Sequence, residues 1–138
     1  MTQEEKQLLL IDLCDRLPCK VKVEAVPYVD PQILCSIDPI RKEFRLDFGE
    51  YRNIFATNWV GEEYSIVKPY LRPMSSMTKK EKEDLCNSCT WLWFKDDLRT
   101  VTHGDYKCYD WLNSHHFDFR GLIEKGLALK APEGMYKI

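Results

Sequence analysis

Three clusters of residues have types and spacings that could do chemistry. The first is His115-His116-Phe117-Asp118-Phe119-Arg120, which sets two imidazoles beside a carboxylate and a guanidinium. A histidine oriented by a carboxylate can serve as a general base near neutral pH. The available nucleophiles are Ser75, Ser76, Cys86 and Cys108, and none sits in the pattern of a strained nucleophile turn. Structural roles account for the same residues. His115 completes a helix face and bonds a backbone carbonyl, His116 suits the negative end of the helix dipole, and Asp118 caps the element that follows. Because these roles explain the cluster, no catalytic residue is assigned.

The second cluster is Lys68-Pro-Tyr70-Leu-Arg72-Pro-Met-Ser75-Ser76-Met-Thr78. It places hydroxyls at the start of a helix, where unpaired N–H groups and the dipole favour an anion. Arg72 and Lys68 add positive charge, and arginine can grip a phosphate with two parallel bonds. Tyr70, Trp93 or Trp111 could stack on a base. The expected ligand contacts are therefore Lys68, Tyr70, Arg72, Ser75, Ser76 and Thr78, joined by His116 and Arg120. Ordinary capping is the competing explanation, since proline turns followed by Ser or Thr open many helices that bind nothing.

The third cluster is Cys86-Asn-Ser-Cys89, which has the spacing of a zinc knuckle, with Cys108, His115 or His116 able to complete four ligands. A second closely spaced ligand pair is missing. Cys86 and Cys89 also fall within an expected helix, where free cysteines behave as small apolar residues on the buried side. No metal and no cofactor is expected. Phosphate-loop, dinucleotide-binding and HExxH signatures are absent from the sequence.

The elements that must position these groups follow from period and punctuation. Thr2 and Glu5 form a capping box that opens a helix with Leu9, Leu13 and Leu17 in one stripe, flanked by Leu10 and Cys14; Pro18 stops it. From Cys19 to Ile66 the period shortens. Val21, Val23 and Ala25 alternate with polar residues, Ile33–Ile37 reads as a second strand, and Phe44, Leu46 and Phe48 as a third. Ile54–Val60 and Tyr64–Val67 are weaker strands about Gly61. Short strands joined by short turns favour antiparallel pairing. Lys68–Met77 reads as irregular, and Thr78 with Glu81 caps a helix running to about Cys89. Trp91–Phe94 suits either helix or strand, and Asp96–Gly104 reads as a loop. Asp105 reads as the cap of a helix from Tyr106 to His115 or His116, whose Cys108, Trp111, Leu112 and His115 share a face. A last short helix, Phe119–Lys125, ends at Gly126, and the tail after Pro132 is extended.

The expected fold is one α+β domain over residues 1–138. It has an N-terminal helix, a small antiparallel sheet of three to five strands, and two or three C-terminal helices packed on it. Its 138 residues suffice to bury a core without staples. With 20 basic and 22 acidic residues interleaved, broad binding to duplex nucleic acid is not expected. No apolar run is long enough to span a membrane, and the polar, acidic start is unlike a signal peptide, so a cytoplasmic protein with reduced thiols is expected. Aromatic residues make up 12% of the chain, and Trp91, Trp93 and Phe94 would serve either a protein interface or the core. The composition is compatible with a homo-oligomer and fixes no stoichiometry.

Lys68–Thr78, with Asp110-Trp-Leu-Asn-Ser-His-His-Phe-Asp-Phe-Arg-Gly-Leu-Ile123, resembles a family of small uncharacterised proteins from phages and prophages of Bacteroides-type gut bacteria. Glu4 to Pro18 and Gly126 to Tyr136 fit the same resemblance, which covers nearly the whole chain; Asn87–Lys107 does not contribute to it. The resemblance implies a phage-linked accessory protein in a bacterial host cell. The expected function is binding: counter-defence by sequestering a small anionic, nucleotide-like immune signal or by inhibiting a host defence protein. The alternatives are a small hydrolase or nuclease using His115 or His116, and a purely structural phage component.

Overall fold

The computed structural model describes residues 2–25, 31–38, 43–48, 51–56, 67–88, 92–95, 100–104 and 106–136. The fold is α+β, and the chain divides into two compact units, Met1–Tyr70 and Leu71–Ile138.

The first unit opens with α1 (Gln3–Arg16). Thr2 and Glu5 exchange side-chain to backbone hydrogen bonds of 3.1 Å, so the capping box forms as expected. The buried face differs from the expected stripe. Leu9 and Leu13 are buried, but Leu10 and Leu17 are only half-buried and Cys14 is exposed. Asp12 and Arg16 take their place, both 0% exposed, with Arg16 Nε donating to Asp12 Oδ2 at 2.9 Å. One turn of helix brings the two charges together, and each offsets part of the other's desolvation. Pro18 falls within a 3-10 turn, Leu17–Cys19, after which Lys20 turns the chain at φ 57°.

The strands of this unit are β1 (Lys22–Ala25), β2 (Gln32–Asp38), β3 (Glu43–Phe48), β4 (Tyr51–Ala56) and β5 (Val67–Leu71), whose last residue is the first of the second unit. Their order is β4-β3-β2-β1-β5, with antiparallel pairing at each junction. Period-two alternation places Val21, Val23, Leu34, Phe44, Leu46 and Val67 in the interior. Two expectations are corrected. The segment from Lys68 is not irregular as far as Leu71 but forms β5, with Pro69 opposite Val23. The strand expected at Ile54–Val60 is β4, beginning at Tyr51. The expected turns at Pro27, Pro39, Gly49 and Gly61, the strand Tyr64–Val67 before its last residue, and the cap Asp105 lie outside the described residues.

The second unit contains a 3-10 turn (Met74–Ser76), α2 (Lys79–Ser88), β6 (Leu92–Lys95), β7 (Thr100–Gly104), α3 (Tyr106–Ser114) and the short β8 (Leu129–Lys130). β6 and β7 pair antiparallel, so Thr100–Gly104 is a strand where a loop was expected; the rest of that expected loop, 96–99, lies outside the described residues. The β-branched Thr100-Val101-Thr102 favours a strand there. Met74, Met77, Leu85, Leu112, Phe117 and Phe119 form the core cluster, with Tyr109 and Trp111 packed against it.

α3 ends in a Schellman motif. Phe117 N–H donates to Leu112 O at 3.0 Å and His116 N–H to Asn113 O at 3.1 Å, with His116 left-handed at φ 62°. The same pattern recurs where a short helix was expected from Phe119 to Lys125. Leu127 N–H donates to Leu122 O at 3.0 Å and Gly126 N–H to Ile123 O at 3.1 Å, with Gly126 at φ 74°. The segment forms turns rather than a helix. They are held by Asp118, whose carboxylate accepts from Leu122 N–H at 2.8 Å and Ile123 N–H at 2.9 Å. The tail is not extended either. Met135 N–H donates to Pro132 O at 3.1 Å, closing a turn that carries Gly134 at φ 81°. Among the described residues no helix is long and apolar enough to cross a membrane.

Candidate ligand-binding cleft

A cleft of about 680 Å³ opens in the second unit. One wall is the turn into α2, with Arg72, Pro73, Ser76 and Thr78, followed by Lys80, Glu81 and Asp84 of α2 itself. His115, just past α3, forms part of the lining, and the tail from Lys130 to Tyr136 forms the other wall.

Arg72 organises this site. Its guanidinium donates two bonds of 2.9 Å to the carboxylate of Glu81, one to each oxygen. It also donates to His115 O at 3.3 Å and lies 4.1 Å from the centroid of the Phe117 ring. Its backbone is fixed as well: Arg72 N–H donates to His116 O at 2.7 Å, and Arg72 O accepts from Asp118 N–H at 2.8 Å. These bonds form a parallel bridge between Arg72 and Phe117. Next to it, Leu71 O accepts from Ala131 N–H at 2.8 Å, which ties the tail to the same segment.

Glu81 has two tasks. Besides pairing with Arg72, it accepts from Thr78 N–H at 3.1 Å, while its own N–H donates to Thr78 Oγ1 at 3.1 Å. Burial pushes its carboxyl upward, but the Arg72 charge and the bonds from Arg72 and Thr78 outweigh this and hold it below the usual 4.5.

The expected contact residues therefore have different surroundings. Lys68 and Tyr70 lie on β5 in the first unit, where the Tyr70 hydroxyl donates to Glu24 at 3.4 Å. Burial raises the Tyr70 hydroxyl above its ordinary value, and the charge and hydrogen bond of Glu24 add to the effect. Arg72, Ser76 and Thr78 meet at the cleft, but each has an internal partner; Ser76 Oγ donates to Pro73 O at 2.6 Å. Ser75 is exposed and outside the lining. Arg120 is also outside it, with its guanidinium 4.4 Å from the centroid of Phe119. His116 is buried and stacks on Tyr136 at 3.6 Å.

His115 is the imidazole on the lining. Its Nδ1 lies 2.8 Å from Trp111 O and 3.1 Å from Ser114 Oγ, and its ring stacks on Trp111 at 3.9 Å. It thus bonds a backbone carbonyl as expected, although it and Trp111 are half-buried rather than fully in the core.

Lys80, Asp84, Lys130, Glu133 and Tyr136 were not anticipated as lining residues. Pro132-Glu133-Gly134 carries a turn signal that would have bent the tail back, but nothing local marks the lysines or acids of the lining.

Cys86 is exposed on α2 instead of buried, and Cys89 lies outside the described residues. Cys14, Cys19, Cys35 and Cys86 are thiols outside any disulfide. Cys108, fully buried on α3, is disulfide-bonded, which corrects the expectation of reduced thiols throughout. Among the described residues no group of three or more His, Cys, Asp or Glu could hold a metal ion. No family model, curated protein or solved structure matches the chain.

Proposed function

We propose that this chain is a phage or prophage accessory protein that binds a small ligand in the second-unit cleft and performs counter-defence by sequestration. The supporting observation is the cleft itself. Its volume of about 680 Å³ lies within the range of small-molecule sites. Its walls are held by the Arg72–Glu81 clasp and the Ala131–Leu71 bond. Walls fixed in advance reduce the ordering cost of binding.

Turnover is the weaker reading. His115 lies on the lining, yet the hydroxyl of Ser76 donates to Pro73 O and that of Ser114 to Trp111 O, so neither is poised as a nucleophile.

The test is native mass spectrometry after incubation with a deproteinised extract of bacterial host cells. A stoichiometric small-molecule adduct is expected, and Tyr136→Ala should remove it while the protein stays folded. An adduct indifferent to Tyr136→Ala would remove the cleft from consideration. A clean apo mass with that extract, together with a complex of defined mass formed in an untreated host lysate, would replace sequestration by inhibition.

A further inference from the structure

The charges of the cleft do not make it a trap for a bare anion. Arg72, Lys80 and Lys130 share the lining with Glu81, Asp84 and Glu133. The fork of Arg72, the group best shaped for phosphate, is occupied by both oxygens of Glu81. What the lining offers instead is supported aromatic surface. The His115 and Trp111 rings are 14° from parallel with centroids 3.9 Å apart, and Trp111 is 6° from parallel with Phe117 at 5.9 Å. Tyr136, also on the lining, is backed by His116, 13° from parallel at 3.6 Å.

The protonation pattern of His115 follows from its partners. A carbonyl oxygen only accepts, so the 2.8 Å contact with Trp111 O places the proton on Nδ1. In the neutral ring Nε2 then carries the lone pair, on the side of the ring away from the α3 carbonyl. Among the described residues no protein group donates to it. A ring fixed by a stack and a hydrogen bond, with one acceptor left over, is pre-organised to accept a bond from a ligand.

We propose that the cleft recognises a planar nitrogen heterocycle of the nucleobase kind. His115 Nε2 accepts an N–H of that ring, and Tyr136, backed by His116, contributes stacking. The heterocycle is read rather than a phosphate attached to it. This rests on the reading of the cleft as a ligand site.

The experiment is a 1H–15N titration of the full chain with four probes: adenosine, guanosine, ribose 5-phosphate and inorganic phosphate. At least one nucleoside is expected to shift the amides of Lys80, His115, Gly134 and Tyr136, and the two phosphates are not. His115→Phe keeps a ring but loses the acceptor, and should weaken nucleoside binding about three- to tenfold. His115→Ala should weaken it further, with the spectrum outside the cleft reporting that both variants are folded. Nucleoside binding unchanged in His115→Phe would overturn the role of Nε2. Shifts from ribose 5-phosphate or phosphate alone would overturn the heterocycle while leaving a ligand cleft. Silence from all four probes would also overturn the heterocycle, and the extract adduct would still decide separately whether the cleft binds anything.

Discussion

Arg72 and Glu81 are joined by two hydrogen bonds of 2.9 Å, with side chains only 19% and 16% exposed. This pair connects the turn before α2 to the first turn of α2, and Arg72 extends the connection to His115 O and Phe117. Arg72→Ala should therefore lower the stability of the protein by about 2 kcal/mol, the usual range for hydrogen bonds to charged groups. Arg72→Lys should recover only part of this, because an ammonium cannot reproduce the planar fork. Urea denaturation measures both, and an Arg72→Ala midpoint equal to wild type would show that the clasp contributes nothing.

Glu81 gives the same clasp a pH dependence. Its carboxyl is held below 4.5 in the folded protein, so between the two values the unfolded chain binds more protons. The stabilisation is present above the ordinary glutamate range and is lost as pH falls through the lowered folded value. Urea midpoints of wild type and Glu81→Gln, followed from pH 6 down to about 3, should converge at the acid end as that range is crossed. A gap of constant size across the series would contradict this account.

His116 and Gly126 occupy equivalent positions in two Schellman closures, at φ 62° and 74°. A Cβ built on Gly126 meets nothing within 4 Å, so Gly126→Ala carries only the backbone cost, about 1 kcal/mol. His116→Val places a β-branched residue in the left-handed region and also removes the stack on Tyr136. It should cost about 2 kcal/mol or more. Hydrogen exchange at Phe117 N–H and Leu127 N–H reports each closure individually; unchanged protection in His116→Val would mean the motif does not depend on this side chain.

The disulfide at Cys108 can be counted. Unfolded without reductant, the protein should expose fewer reactive thiols than its six cysteines, and six after reduction. Six before reduction would show that Cys108 is a thiol in solution.

Legibility in the sequence followed the distance over which each interaction acts. Both capping boxes were readable because Thr2 with Glu5, and Thr78 with Glu81, are complete within four residues. The left-handed close at Gly126 was readable for the same reason. β5 was obscured by Pro69, since a proline inside a short run reads as a turn. The buried Asp12 and Arg16 were hidden because charged residues on a helix ordinarily face water. For the cleft, Arg72, Ser76 and Thr78 were identified, but not that Glu81 already holds Arg72. A residue's type states what it can bond, and only the fold states which partner reaches it first. The lining from Lys130 to Tyr136 went unseen because the turn at Pro132 determines where the tail returns.

The buried pair on α1 has an evolutionary consequence. Replacing Asp12 or Arg16 alone removes the ion pair from a charge that stays buried, a loss of about 3–5 kcal/mol, whereas replacing both by apolar residues of matching volume can be neutral or stabilising. Each single step descends into a valley, and only the double step crosses it. Descendants of this chain should therefore keep both residues or neither, so the two positions ought to change together across any set of relatives.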